Sequence, residues 1–176
     1  ETSDGGYALA GYITDSGGYT NFWLVKTDTS GNMQWNKAYG GIYHDMANSF
    51  VQTRDGGYAL YGYTNSFGPG SGNAWLVKTD SSGNMQWNKT YGEGAIVDAY
   101  CVIQTTDGGY ALAGARNVDF WLLKTDSTGN LQWSKTYGGA DFDVASCVVQ
   151  TRDGGYVLAG YSQSFGGPSG WLVKTD

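Results

Sequence analysis

The stretch SFVQTRDGGYALYGYTNSFGPGSGNAWLVKTDSSGNMQWNKTYG, Ser49–Gly92, holds four short apolar segments separated by turn residues. SFVQT, YALYGY, AWLVKTD and MQWNKTY are rich in Val, Tyr, Trp, Phe and Thr, whose branched or aromatic side chains suit extended backbone. RDGG and SSGN lie between them. Their Gly and Asn accept the positive φ of tight hairpin turns. AWLVK is almost continuously apolar, so that strand is expected to be covered on both faces. MQWNKTY alternates: Met85, Trp87 and Tyr91 are expected on one face, Gln86 and Asn88 on the other. The stretch therefore predicts a four-stranded antiparallel sheet with a crowded interior strand and a half-polar outer one.

The same phrase recurs. DGGYALAG or a close variant starts at Asp4, Asp55, Asp107 and Asp153, and WLVKTD or WLLKTD starts at Trp23, Trp75, Trp121 and Trp171. A period of roughly 50 residues marks a repeat architecture. A lone small sheet cannot bury both faces, whereas stacked sheets bury one another's. The fold class expected is all-β: a β-propeller of four-stranded antiparallel blades, about 3.5 to 4 of them in this chain. A sandwich does not predict such a period, and a β-helix has shorter rungs. The units are approximately 1–40, 41–92, 93–138 and 139–176, forming a single propeller domain or a propeller fragment. The first unit starts at its second strand and the last stops after its third, giving 14 strands. Either a longer propeller or a subunit completed by another chain is expected, with self-association through the incomplete terminal blades, because open apolar edges associate.

The Trp residues of both motifs are expected to pack between blades, with a truncation such as Trp87→Ala costing roughly 3–5 kcal/mol if buried. Lys26, Lys78, Lys124 and Lys174 recur inside the apolar strand, which calls for a charge partner; the Asp of DGG is the candidate. Cys101 and Cys147 fall at matching positions, with Ser49 as the third equivalent. They are expected as small buried residues. Spacing leaves a disulfide between neighbouring repeats open.

Composition narrows the function. The 176 residues include 29 Gly and are 40% hydrophobic and 15% charged, with a net charge of −6. No basic stripe exists for a nucleic-acid partner. No apolar run reaches the roughly 18 residues that span a bilayer, so no membrane insertion is expected. No signal peptide is visible at Glu1, where the chain begins inside a repeat.

On DGGYALAGY and WLVKTDSSGNMQW, and over essentially the whole chain, the unit resembles the repeats of surface and secreted proteins of archaea and some bacteria. That resemblance implies an extracellular or cell-surface β-propeller and brings no catalytic residues. Asp80, Gly83 and Trp87 are also similar to the tryptophan-docking turn of quinoprotein dehydrogenase propellers, and more loosely to the Asp-box of sialidases. The Asp-to-Gly spacing departs from both, so the likeness implies shared architecture without the chemistry.

Little else suggests catalysis. His44 stands beside Asp45, as an acid–base pair would. Its repeat equivalents are Ile96 and Phe142, which makes it a loop or packing residue. No G-x-S-x-G elbow or Cys/His metal spacing occurs. DSSGN at Asp80–Asn84 offers one carboxylate where calcium loops use several, so Asp80 is expected to cap its own turn. The glycines of FGPGSG, Phe67–Gly72, lie outside any strand-to-helix phosphate cradle. Asp45, Asp98 and Asp143, the acids nearest a propeller axis, are out of register, since Asp98 sits one place later. No cofactor and no metal are expected.

In a meander the DGG and SGN turns share one face, and the variable loops and links share the other. Specificity is usually carried by loops on a rigid scaffold. The candidate binding residues are therefore Tyr19, Asn21, Asn65, Phe67, Asn73, Arg116, Asn117, Asp119, Gln163 and Phe165, with Phe67 and Phe165 expected to be exposed enough to replace without loss of stability. The function expected is a non-enzymatic structural, adhesion or protein-interaction module. The alternative is a lectin-like glycan binder; an enzyme with an axial pocket is a third class.

Overall fold

The computed structural model describes residues 1–70, 72–92, 95 and 97–176. Ile96, aligned with His44 by the repeat, and Glu93 and Gly94 of the same EGAIVD link lie outside them. The described residues form 14 strands and no helix. The first sheet is β1 (Tyr7–Thr14), β2 (Thr20–Thr27) and β3 (Met33–Tyr39). The second is β4 (Asp45–Gln52), β5 (Tyr58–Thr64), β6 (Asn73–Thr79) and β7 (Met85–Tyr91). The third is β8 (Val97–Gln104), β9 (Tyr110–Arg116), β10 (Asp119–Thr125) and β11 (Leu131–Tyr137). The fourth is β12 (Asp143–Gln150), β13 (Tyr156–Ser162) and β14 (Ser169–Thr175). Every pairing is an antiparallel neighbour in sequence. The strand count and the three-four-four-three division are those the repeat predicts.

Each sheet packs on the next through its own apolar cluster. Phe22 and Leu24 of the first meet Leu60, Trp75 and Val77 of the second. Tyr61, Ala74 and Leu76 of the second meet Leu112, Trp121 and Leu123 of the third, and Phe120 and Leu122 of the third meet Leu158 and Val173 of the fourth. β6 is buried along its whole length, as its continuous apolar character requires. Polar ties repeat at the same boundaries. Gln52, Gln104 and Gln150 accept the backbone N–H of Ser3, Arg54 and Thr106 at 2.8–2.9 Å. The Tyr39 and Tyr91 hydroxyls donate to the carbonyls of Gly83 and Gly129 in the next sheet's turn, each at 2.7 Å. Burial, with Asp80 nearby, raises the Tyr39 phenol.

The DGG motif has two different reasons for its two glycines. Gly56 takes φ +81°, a left-handed conformation that favours Gly. Gly57 lies where a Cβ would come within 2.1 Å of the Thr79 carbonyl oxygen and 2.8 Å of Lys78 Nζ. That close approach lets Asp55 reach Lys78 at 2.8 Å, and the ion pair recurs as Asp4–Lys26, Asp107–Lys124 and Asp153–Lys174. Lys78 is 5% exposed and Asp55 57%, so the pair is desolvated on one side only. Lys78 also donates to Thr79 O and to Gln86 Oε1.

Three packing expectations need correction. Met85 does not share a face with Trp87: the register shifts between Lys78 and Thr79, and the bulge turns Met85 outward, where Asn88 Nδ2 donates to its sulfur at 3.4 Å. Trp87 is half-buried, set edge-on against Tyr110 with ring centroids 5.8 Å apart, so the core truncation cost belongs to Trp75 and Trp121 instead. Cys101 is half-buried and Cys147 exposed, and both are free thiols: Cys101 faces the first strand of the fourth sheet at the margin of the apolar cluster there, whereas among the described residues no later sheet covers Cys147.

Candidate functional site

The two ends of the sheets differ as a meander requires. At one end the DGG and SGN turns touch: a Cβ on Gly56 would lie 3.8 Å from the Ser81 Cβ. Asp80 caps its turn, accepting the N–H of Ser82 and Asn84 at 2.9 and 2.8 Å while Asn84 Nδ2 donates to its other oxygen. Those bonds, the Asn84 side chain first, hold its carboxyl below the usual range. Its oxygens are used within the turn. Among the described residues no group of three or more His, Cys, Asp or Glu is placed to hold a metal ion.

The opposite end carries the variable loops. Tyr19 meets Tyr43 and His44 edge-on, at centroid distances of 6.1 and 5.4 Å. The Thr20 N–H donates to His44 Nδ1 at 3.3 Å, so His44 braces the β1–β2 loop. Asn21, half-buried, lies against Gly40. Asn65 holds its own loop, accepting the Gly72 N–H at 2.8 Å. Asn73 is 2% exposed and donates to the carbonyls of Phe67 and Pro69, which places it in the scaffold beneath the loop. Phe67 and Phe165 are exposed, as expected, but each also lies tilted on a Trp of its own sheet, Trp75 and Trp171, at 4.9 and 5.0 Å. Gln163 is exposed and donates to the Tyr161 hydroxyl. Asn117 takes φ +59° in the short β9–β10 turn, and Arg116 and Asp119 pair across it.

Asp45 and Asp143 are fully buried and consumed by hydrogen bonds. Asp45 accepts from the Thr64 hydroxyl, from Ser66 Oγ at 2.8 Å and from the Gly41 N–H at 2.9 Å. Asp143 accepts from Ser164 Oγ and the Gly139 N–H. Burial acts to raise the Asp143 carboxyl, but the Ser162 and Ser164 hydroxyls outweigh it and hold the group below the usual range. These acids fasten the links to the sheets.

The second and third units break this pattern at several positions that meet at their shared boundary. Val97 and Arg116 stand where the second unit has Asp45 and Thr64, so the knot is missing. Ala74 stands where Phe22 and Phe120 stack on the facing Trp75 and Trp171 at 4.7 and 4.6 Å. Ser134 replaces the Asn that receives the Trp indole N–H in the first two sheets. The short Asn117–Val118 turn replaces the loops that carry Phe67 and Phe165. The result is a cleft of about 560 Å³ between the second and third sheets, which runs from Gly92 and Arg116 at the variable end to Gly129, Asn130 and Leu131 at the SGN turn of the other end, with Lys89, Tyr91 and Ser134 along it and the buried Trp121 and Leu123 against it. Of the ten nominated residues, Arg116 alone lines it. Its Nε is buried with no hydrogen-bond partner among the described residues. Tyr61, enlarged from the Ala of the other units, fills part of the same boundary, and burial raises its phenol.

No protein-family model matches the chain, and comparison with curated proteins finds no match.

Proposed function

We propose that the four sheets are blades of a β-propeller and that the molecule is a non-enzymatic extracellular or cell-surface module, which binds a protein partner in a cleft between two blades that opens at its variable end. The observation that carries the reading is the cleft between the second and third sheets. It is made by coordinated departures from an otherwise uniform repeat. It brings two cations, Arg116 and Lys89, to an apolar base in a chain of net charge −6. Such a site favours a carboxylate-bearing segment with an apolar side chain beside it. The buried hydrogen-bond knots at Asp45 and Asp143 support a scaffold role for the acids that an axial enzyme would need. A glycan is the second reading, favoured by the exposed Tyr19 and Tyr43 rings at the same end.

The test is binding of the wild-type chain, a K89A/R116A variant, a Tyr19→Ala variant and a Ser81→Ala control to a glycan array and to acidic and neutral peptide arrays. Loss of acidic-peptide binding in K89A/R116A alone supports the reading. Loss of glycan binding in Tyr19→Ala moves the function to the sugar alternative. Unchanged binding in all variants, or loss with Ser81→Ala, refutes the assignment to this cleft.

A further inference from the structure

Cys101 and Cys147 hold the same place in β8 and β12, each directly after the bulged residue of the strand. The Cys101 thiol reaches out of its own sheet. The Val148 N–H of the fourth sheet donates to its sulfur at 3.4 Å, and Cys147 Sγ lies 3.9 Å away. One boundary earlier, Ser49 does the same work, accepting the Val102 N–H at 3.2 Å. A hydroxyl therefore suffices to receive that N–H. The boundary between the third and fourth sheets has instead two thiols facing each other across it. Cys147 is exposed and open to a soluble oxidant; Cys101 is half-buried behind it. A disulfide needs the sulfurs at about 2.05 Å, so the gap must close by roughly 2 Å, a movement within reach of a rotamer change at the exposed Cys147.

We propose that Cys101 and Cys147 are a disulfide-forming pair, a covalent staple between the third and fourth sheets. With a small disulfide such as oxidised glutathione as the oxidant, the step balances as follows. The Cys147 thiolate attacks one glutathione sulfur, forming a mixed disulfide and releasing one glutathione thiolate. The Cys101 thiolate then attacks Cys147 Sγ and displaces the second. Two cysteine thiols are oxidised, one external disulfide is reduced to two thiols, and the two cysteine protons pass to the released glutathiones. The inference is independent of the proposed ligand, since neither residue lines the cleft.

The test is incubation of the folded chain with oxidised glutathione, followed by intact mass, thiol titration in denaturant and peptide mapping. Cys→Ser variants are the controls, and Ser49 shows that serine is accommodated in this position. The expected result is a monomer lighter by two hydrogens, with no titratable thiol and a linked Cys101–Cys147 peptide. C101S should stop at a stable mixed disulfide on Cys147. The oxidised wild type should melt at a higher temperature than the reduced form, with no such gain in either variant. Stable glutathione adducts on the wild type, chain-to-chain disulfides, thiols that react only after denaturation, or oxidation without a rise in melting temperature would each overturn the proposal.

Discussion

Trp75 and Trp23 begin identical WLVKTD motifs, yet their surroundings differ enough to give very different costs of truncation. Trp75 is fully buried between Phe22, at 4.7 Å, and Phe67, at 4.9 Å. Trp23 is half-exposed. Both donate their indole N–H to an exposed Asn, at 3.1 and 3.2 Å, so that bond is common to the two and water replaces it in either variant. The difference is therefore apolar burial and cavity. Trp75→Ala should cost about 3–5 kcal/mol, in the range of buried aromatic truncations. Trp23→Ala should cost about 1–2 kcal/mol, from the smaller area it removes from water. A gap of about 2 kcal/mol corresponds to roughly 4–8 °C in melting temperature for a chain of this size. Calorimetry and urea titration followed by circular dichroism measure both. Equal losses for the two variants would refute the packing of successive sheets through this Trp.

Other consequences follow from the turn chemistry. Asp55→Asn strips the counterion from a Lys78 that is almost fully buried and should cost about 2–3 kcal/mol, whereas Lys78→Met leaves a half-solvated carboxylate and should cost about 1 kcal/mol or less. The reverse order in chemical denaturation would contradict the one-sided burial of the pair. Burial acts to raise the Asp55 and Asp107 carboxyls, but their Lys, Thr and Gly partners bring both to about 2, below the ordinary 3.8. A lowered folded-state value stabilises above the unfolded value, so melting temperature should hold above about pH 4 and fall between about pH 4 and about pH 2. A flat profile through that window would remove these pairs from the stability account. Gly57→Ala, which forces a Cβ into the Thr79 carbonyl, should destabilise more than Gly11→Ala, where a Cβ meets nothing within 4 Å; comparable melting temperatures would show that the close approach is not needed.

The sheets were legible because the repeat printed the same turns and the same strand patterns four times, and the Lys–Asp pairs followed from a charge recurring in an apolar strand. Met85 was misplaced because a one-residue bulge reverses which side faces the neighbour, and nothing in MQWNKTY marks it. The nearness of Cys101 and Cys147 depends on how adjacent sheets meet, which spacing does not encode. The cleft was hidden for another reason: it is made by what is missing. Ala74, Ser134 and the short Asn117–Val118 turn are far apart in sequence and become neighbours only on folding. Comparing the units position by position, Phe22 with Ala74 and Thr64 with Arg116, carries the signal that loop composition alone does not.

The blade arrangement is tested most directly by the distance between the first and fourth sheets. Ser3 and Arg152 occupy equivalent turns of those sheets, and spin labels there report the path of the stack by pulsed electron resonance. Sheets about 10 Å apart in a straight stack would separate the labels by about 30 Å. Blades turning about a common axis bring them closer, so the expected distribution is centred well below that value. A distribution centred at about 30 Å or beyond would contradict the propeller.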